Sequence, residues 1–306
     1  MDQSQNNPAT MIFTALLGNP VEHSVSTYLF SEYAKIADLE YTHIKLNVPA
    51  EVDLPVYLHS LHKIGCAGVN ITLPYKLAVV KYLDAQDDRA QAIGAVNTVV
   101  MGNSGLIGYN TDGVGAYRSI SDHLRPVKSG DRVTVLGSGG AARAIIYELY
   151  QRTDEITVLG QIPAQLESLS KDFHNPDRKP LQVSLIRDAA LYDCLRTADF
   201  LINATPVGMY PETNDSLVTP ALLDRLEQER SMKDLWTFDA VFNPHTTLML
   251  KLLAQRGSPT CSGIWMMIYQ AVEAFALWTG KDVSQAPFRD IEAKLQHLLE
   301  QRYSHG

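Results

Sequence analysis

The chain has 306 residues, 45% hydrophobic and 20% charged, with a formal net charge of -8, an ordinary globular composition with room for one large or two modest cores. No sustained Lys/Arg run supplies the electrostatic footprint of a nucleic-acid or acidic-membrane binder, and no apolar stretch reaches the roughly 18 residues of a spanning helix. The polar opening MDQSQNNPAT lacks the basic-then-apolar pattern of a signal peptide, and Cys66, Cys194 and Cys261 form no CxxC pair, so the expectation is a cytoplasmic protein with reduced cysteines and a short disordered N-terminal tail.

Strands and helices alternate along the sequence, the pattern of an α/β fold with mainly parallel sheets. An apolar strand is expected over 11–18, ending on Gly18, then a helix over 26–37 capped by Ser24 or Ser26. Residues 41–48 alternate as a half-buried strand does. A strand over 67–74 is stopped by Pro74, with helix from about Tyr75. Two strands over 95–102 and 105–112 are joined by a tight turn at Asn103-Ser104. A helix from Asp112 to about Leu124 then leads into the polar connector RPVKSGD, the natural domain boundary. From Arg132 the pattern is strand, glycine turn, helix over 140–151, strand over 156–160, helix over 163–174 and strand over 181–186. Further βα units follow, with buried strands at 199–205 and 237–243 and a charge-rich, solvated helix or loop over 224–236. Gly263–Gly280 reads as an almost wholly apolar helix, and a charged amphipathic helix runs on to Tyr303.

The segment VTVLGSGGAARA carries Gly137-x-Gly139-x-x-Ala142 between an apolar strand and a helix. The first glycine permits the tight turn, the second lets a pyrophosphate reach the backbone, and the small third residue lets helix pack on strand. The helix N-terminus offers its unpaired N–H groups to the phosphates. In VNITLPYK, Asn70 and Thr72 fall on one face of a strand with Lys76 just past its end. GAVNT and YNTDG put Asn97 and Asp112 at the ends of apolar segments, where an amide or carboxylate is costly unless a partner meets it. A shared polar ligand accounts for these better than chance burial does. His59-x-x-His62 has the spacing of a metal pair on a helix but no third ligand, so a solvated helix face and no metal are expected.

Taken in chain order, these stretches resemble the shikimate/quinate dehydrogenase family. Gly18–Ser26 is similar to its GNP…HSxS opening, Gly68–Lys76 to GxNVTxPxK, Ile93–Thr98 to IGAVNT and Asn110–Gly113 to NTDG. Gly137–Ala144 is similar to GAGGAARA, Asn203–Met209 to NATPxGM, Asp239–Pro244 to DxVYNP, and Gly263–Gly280 to the family's C-terminal block. The resemblance spans about residues 12 to 281.

It implies an N-terminal α/β substrate domain (11–112 with 263–306) and a Rossmann-like doubly wound dinucleotide-binding domain (113–262), with the site in the cleft between them. It implies that Lys76 is the acid/base for reducing a 3-dehydroshikimate-type ketone, with Asp112 orienting it and holding a ring hydroxyl. Ser24 and Ser26 would bind the substrate carboxylate, and Asn70, Thr72, Asn97 and Gln270 the hydroxyls. Gly137, Ser138, Gly139, Gly140, Ala141, Arg143, Gln161, Thr205, Pro206, Gly263 and Met266 would line the NADP or NAD site, with Met266 walling the nicotinamide.

The sequence departs from the pattern at several positions. Thr27 stands where a proline is usual and Phe30 where a histidine is common. Phe242 replaces a tyrosine whose hydroxyl helps hold the substrate carboxylate. Gly160-Gln161-Ile162 stands where the NADP enzymes carry NRT. The missing arginine removes about 1.5–3 kcal/mol per charged hydrogen bond, roughly ten- to hundredfold in affinity, unless Arg143 takes up part of the role. Shikimate-type chemistry is favoured over quinate because both serines are present. A non-catalytic ligand-sensing relative and a dehydrogenase of an amino-shikimate analogue remain open, as does monomer or homodimer. The partner expected is a small hydroxy acid, with no nucleic acid and no membrane.

Overall fold

Period-two alternation builds the first sheet. The computed structural model describes residues 11–303, so the predicted N-terminal tail lies outside the described residues. The strands are β1 (Ile12–Gly18), β2 (Tyr41–Asn47), β3 (Gly68–Ile71), β4 (Ala85–Gln86), β5 (Thr98–Gly102) and β6 (Gly105–Tyr109), with helices α1 (Ser26–Ile36), α2 (Leu54–Lys63) and α3 (Asp88–Ile93). They form one sheet in the order β2-β1-β3-β5-β6-β4. β1 is parallel to β2 and β3, and β5 turns antiparallel between β3 and β6. One face carries Ala15, Leu17, Val69 and Ile71 into an apolar core with Leu54, Leu58 and Leu61 of α2. The other carries Thr14, Tyr41 and His43 into an aromatic layer with Phe30, Phe275 and Trp278. Trp278 donates its indole N–H to the Val99 carbonyl at 3.0 Å, and Gly68 is required beneath it, because a Cβ there would run into the indole.

Three local expectations change. β3 ends at Ile71, short of Pro74, so Thr72 is not a strand residue. Its N–H still reaches the Leu17 carbonyl at 2.9 Å, but Leu73 turns to accept from Asn19. The helix expected from Tyr75 is replaced by turns and a short 3-10 stretch over Ala78–Tyr82. The Lys76 carbonyl is taken by the Val96 N–H at 2.8 Å, a tertiary partner in place of an amide four residues on. At α1 the N-cap is Val25 rather than a serine; the Ser24 hydroxyl instead accepts the Ser26 N–H at 3.2 Å.

The second sheet is all parallel. Its unit contains α4 (Asp112–His123), β7 (Val133–Leu136), α5 (Gly140–Tyr150), β8 (Ile156–Gly160), α6 (Pro163–Asp172), β9 (Gln182–Leu185), α7 (Asp188–Leu195) and β10 (Phe200–Asn203). It continues with α8 (Pro220–Leu226), β11 (Trp236–Asp239), α9 (Leu248–Ala254), β12 (Thr260–Ser262) and the start of α10 (Ile264–Thr279); α11 (Phe288–Tyr303) closes the described chain. The strand order β12-β11-β10-β7-β8-β9 is the doubly wound arrangement in which the chain starts in the middle, goes out one way and returns to build the other half. The switch point lies between β7 and β10. The charge-rich segment 224–236 is not simply solvated: Leu226, Met232 and Leu235 enter the core, and Arg230 donates to the carbonyls of Leu195 at 2.8 Å and Ala198 at 2.5 Å.

The packing divides the described chain into two units. One holds the chain up to Gln91 with Ala95–Thr111 and Ala271–Ile291; the other holds Ala92–Gly94, Asp112–Gln270 and the chain from Glu292. Among the described residues no helix is long and apolar enough to cross a membrane.

Candidate active site

In the first unit, polar side chains gather at the ends of β1, β3 and β5. Asn70, on β3, donates to the Asn97 carbonyl at 3.2 Å and to the Thr98 hydroxyl at 3.1 Å. Asn97 donates from its amide to the Thr111 hydroxyl at 2.9 Å and accepts the Thr111 N–H at 2.8 Å. Both amides are buried, and these protein partners meet the cost of burial. Asn97 thereby fixes the backbone immediately before Asp112, itself buried as the first residue of α4 in the second unit. Lys76 and Thr72 are half-buried in the irregular chain after β3. Ser24 donates to the Ser26 hydroxyl at 3.0 Å, and Lys45 holds their loop by donating to the carbonyls of Glu22 at 2.7 Å and Ser24 at 3.3 Å.

In the second unit the glycine turn lies where β7, β8 and β10 end. Gly137 sits at φ 110, gives its N–H to the Leu159 carbonyl at 2.8 Å, and has the Ala204 carbonyl 2.9 Å from where a Cβ would stand. Gly139 caps α5 with extended backbone, and a Cβ there would meet nothing within 4 Å. A pyrophosphate fits that open approach to the N-terminus of α5, as the arrangement requires. Gly140 and Ala141 form the partly exposed first turn of α5. The Ser138 hydroxyl is tied to Gln165 of α6 at 2.9 Å. Gln161 is exposed just past β8. Arg143 is buried, donating to the Ile93 carbonyl at 2.6 Å and pairing with Asp172 at 2.6 Å.

Around β10 and β11 a buried knot shapes the remaining loops. Asn203 accepts from the Thr205 N–H at 3.0 Å and hydroxyl at 2.6 Å, and donates to Asp239 at 2.9 Å. Asp239 also accepts from Thr247 at 2.6 Å and the Val241 N–H at 3.0 Å. Burial pushes the Asp239 carboxyl up to about 6, although its three donors pull the other way. Pro206 is exposed and Phe242 half-buried. Gly263 lies hard against the Ala240 carbonyl, leaving no room for a side chain. α10 meets α4 closely: a Cβ on Gly115 would stand 2.8 Å from the Met266 carbonyl and the Gln270 nitrogen. Gln270 also donates to the Met267 carbonyl at 3.0 Å.

Sequence reasoning passed over Thr14, His43, Thr111, Gln165 and Asn203, all of which brace the candidate residues. For Thr14 and His43 the sequence offers only a polar residue inside a strand, and nothing local ties either one to the serines. Phe30 is explained as well, because it is fully buried in the aromatic layer, 4.6 Å from the His43 ring. His62 gives a ring nitrogen to the Gly102 carbonyl at 3.1 Å. Burial raises the thiols of Cys66 to about 11 and Cys261 to about 12, far from the thiolate reactivity of a nucleophile.

Residues 16–99 match the shikimate dehydrogenase substrate binding domain, and residues 263–291 the shikimate 5'-dehydrogenase C-terminal domain. The chain is 35% identical over 271 residues to the shikimate dehydrogenase (NADP(+)) of Methanococcus aeolicus, covering 87% of this chain and 91% of that protein. It is similar to the crystal structure of shikimate 5-dehydrogenase from Listeria monocytogenes in complex with shikimate and NAD, with TM-score 0.79, 27% identity, and 93% and 96% of the two chains covered. It is also similar to quinate dehydrogenase from Corynebacterium glutamicum in complex with NAD, with TM-score 0.77, 30% identity, and 90% and 96% covered. At this identity and coverage the chain belongs to the shikimate/quinate dehydrogenase family and is an oxidoreductase that works with NADP or NAD.

Proposed function

We propose that the protein interconverts 3-dehydroshikimate and shikimate, with substrate taken by the segments 11–112 and 263–306 and cofactor by 113–262. The observation that carries this reading is the set of polar groups in the first unit: Asn70 donates to the Asn97 carbonyl beside an apolar core, Lys76 follows Asn70 in the same chain segment, and Ser24 and Ser26 pair at the start of α1.

When bound, the nicotinamide supplies the hydride. Lys76 hands a proton to the ketone oxygen as it becomes an alkoxide, the task of a positioned ammonium. Asp112 holds a neighbouring ring hydroxyl. The hydroxyls of Ser24 and Ser26 give hydrogen bonds to the substrate carboxylate, while Asn70, Thr72, Asn97 and Gln270 read the ring hydroxyls. On the cofactor side, Gly137 to Ala141 receive the pyrophosphate at the head of α5, Thr205, Pro206, Gly263 and Met266 line the nicotinamide, and Gln161 stands where the adenosine ribose is read. Arg143 has donors committed to Ile93 and Asp172, so Gln161 is the stronger candidate for the reader. The enzyme works in the cytoplasm, as monomer or homodimer.

Quinate is the second reading. Phe242 offers no hydroxyl to the carboxylate, and a relative that acts on quinate shares the fold. Initial rates of shikimate and quinate oxidation, each with NAD and with NADP, decide the matter. Turnover of shikimate is expected to exceed that of quinate. A folded protein inactive in all four combinations would remove the reading.

A further inference from the structure

A buried file of hydrogen bonds runs from the interior of the first unit to its serine pair. Thr14 and His43 are register partners on the adjacent strands β1 and β2. The Thr14 hydroxyl lies 2.5 Å from the Tyr41 hydroxyl and 2.8 Å from His43 Nδ1. His43 Nε2 lies 3.2 Å from the Ser26 hydroxyl, which also accepts from Ser24 at 3.0 Å. His43 is 8% exposed and Thr14 fully buried. The imidazole is held in place by Phe30 at 4.6 Å and by Trp278, nearly parallel at 6.2 Å.

The direction of the protons in this file follows from counting donors. Among the described residues the Tyr41 hydroxyl has Thr14 as its hydrogen-bond partner. Burial pushes the phenol pKa well up, so Tyr41 remains a donor, and its proton goes to Thr14 Oγ1. Thr14 has one proton of its own and passes it to the other neighbour, His43 Nδ1. A neutral imidazole that accepts at Nδ1 carries its hydrogen on Nε2. Burial holds the imidazole pKa down, at about 3, so the ring is neutral throughout the physiological range. Nε2 therefore donates to Ser26. With both lone pairs of the Ser26 oxygen receiving, one from His43 and one from Ser24, the Ser26 proton must be given elsewhere. The opposite polarity would turn that proton inward to His43 and leave the half-buried Tyr41 hydroxyl without an acceptor among the described residues.

We propose that His43 is a positioning residue for substrate: by donating to Ser26 it turns the Ser26 hydroxyl proton outward, so that Ser26 presents a donor to the substrate carboxylate. This rests on the reading that Ser24 and Ser26 hold that carboxylate. It deepens that reading, because a serine hydroxyl can accept as readily as it donates, and the file removes the choice. His43 touches no substrate atom in this role; it acts through Ser26.

Two measurements test it. The first is the tautomer of His43 in the wild-type protein, read from the 15N shifts and couplings of the ring. The Nε2–H form is expected; the Nδ1–H form overturns the proposal, whatever the enzyme turns over. The second is kinetic. His43→Phe keeps a ring between Phe30 and Trp278 but removes the donor. It is expected to raise the KM for shikimate about tenfold, the scale of one hydrogen bond to a charged group, with kcat and the KM for the nucleotide changed less than about twofold. His43→Gln, which returns an N–H at similar reach, recovers most of the loss. In a Ser26→Ala background His43→Phe is expected to add nothing, because the group it orients is gone. A folded His43→Phe protein with unchanged shikimate KM, or an equal loss in the Ser26→Ala background, overturns the proposal. Absence of shikimate and quinate turnover in the wild type would instead remove the underlying reading of the serines, and the ring tautomer would still decide the direction of the file.

Discussion

Lys76 and Gln161 show how unevenly individual residues can be read. Lys76 stood out because its neighbours were polar at strand ends, although the local backbone is not the helix start that its spacing suggested. Its side-chain chemistry survives that change, since a proton donor needs reach and a charge rather than a helix. Lys76→Ala is expected to lower kcat by about 10² to 10⁴, the usual worth of a general acid, while the shikimate KM changes much less. A variant retaining normal kcat would remove Lys76 from the chemistry. Gln161 is exposed past β8, so Gln161→Arg can place a guanidinium without disturbing the core. It is expected to raise the ratio of kcat/KM for NADP over NAD by about tenfold or more, through charge-assisted bonds to the 2′-phosphate. An unchanged ratio would show that the ribose is read elsewhere. His43, by contrast, was not legible as part of the site. Its role depends on Thr14, twenty-nine positions away in sequence and beside it in register.

At the scale of elements, the long strands and helices followed their periodicity, and the glycine turn followed its motif. Gly137 tests that motif directly. Its φ of 110 and the Ala204 carbonyl, 2.9 Å from where a methyl group would stand, leave no room for a side chain, so Gly137→Ala is expected to cost about 1–3 kcal/mol and to weaken nucleotide binding more than shikimate binding. Equal loss of both ligands would point to general unfolding instead. The ends of β10 and β11 carry a pH signature. Asp239 has a folded pKa of about 6 against an ordinary 3.8, so its ionised form is disfavoured by folding. The stability it contributes is full below the ordinary value and is lost as the pH rises through the folded one. Between about pH 5 and about pH 7.5 the wild type should therefore lose more unfolding free energy than Asp239→Asn does; parallel slopes in chemical denaturation would contradict this. The elements that escaped sequence reasoning are the short ones. β4 and β12 have two and three residues, too few for a period, and they exist because a neighbouring strand offers them an edge. The 73–77 segment was misread for the related reason that its backbone groups find partners on distant chain.

At the scale of the whole molecule, each unit carries its own set of candidate residues, and the two ligands should protect different backbone. Saturating NADP is expected to slow amide exchange over 133–145 and 158–166, and shikimate over 18–28, 69–77 and 95–112. Shikimate protection confined to the second unit would contradict the assignment of the serine and asparagine cluster to substrate. The resemblance to the family supplied the doubly wound cofactor unit and the residues proposed as acid, carboxylate binder and ribose reader, while the sequence by itself determined the α/β class and the glycine turn. These are properties of local pattern: periodicity, steric freedom at glycine and functional-group chemistry all act within a few residues. Only the tertiary structure decided which polar groups are already satisfied by protein, as in Asn97 with Thr111 and Arg143 with Asp172, and which still have a proton to offer, as the file from Tyr41 to Ser26 indicates. The reason is physical: a hydrogen bond is settled by distance and by the donor count of neighbours, and strand register brings those neighbours from far along the chain.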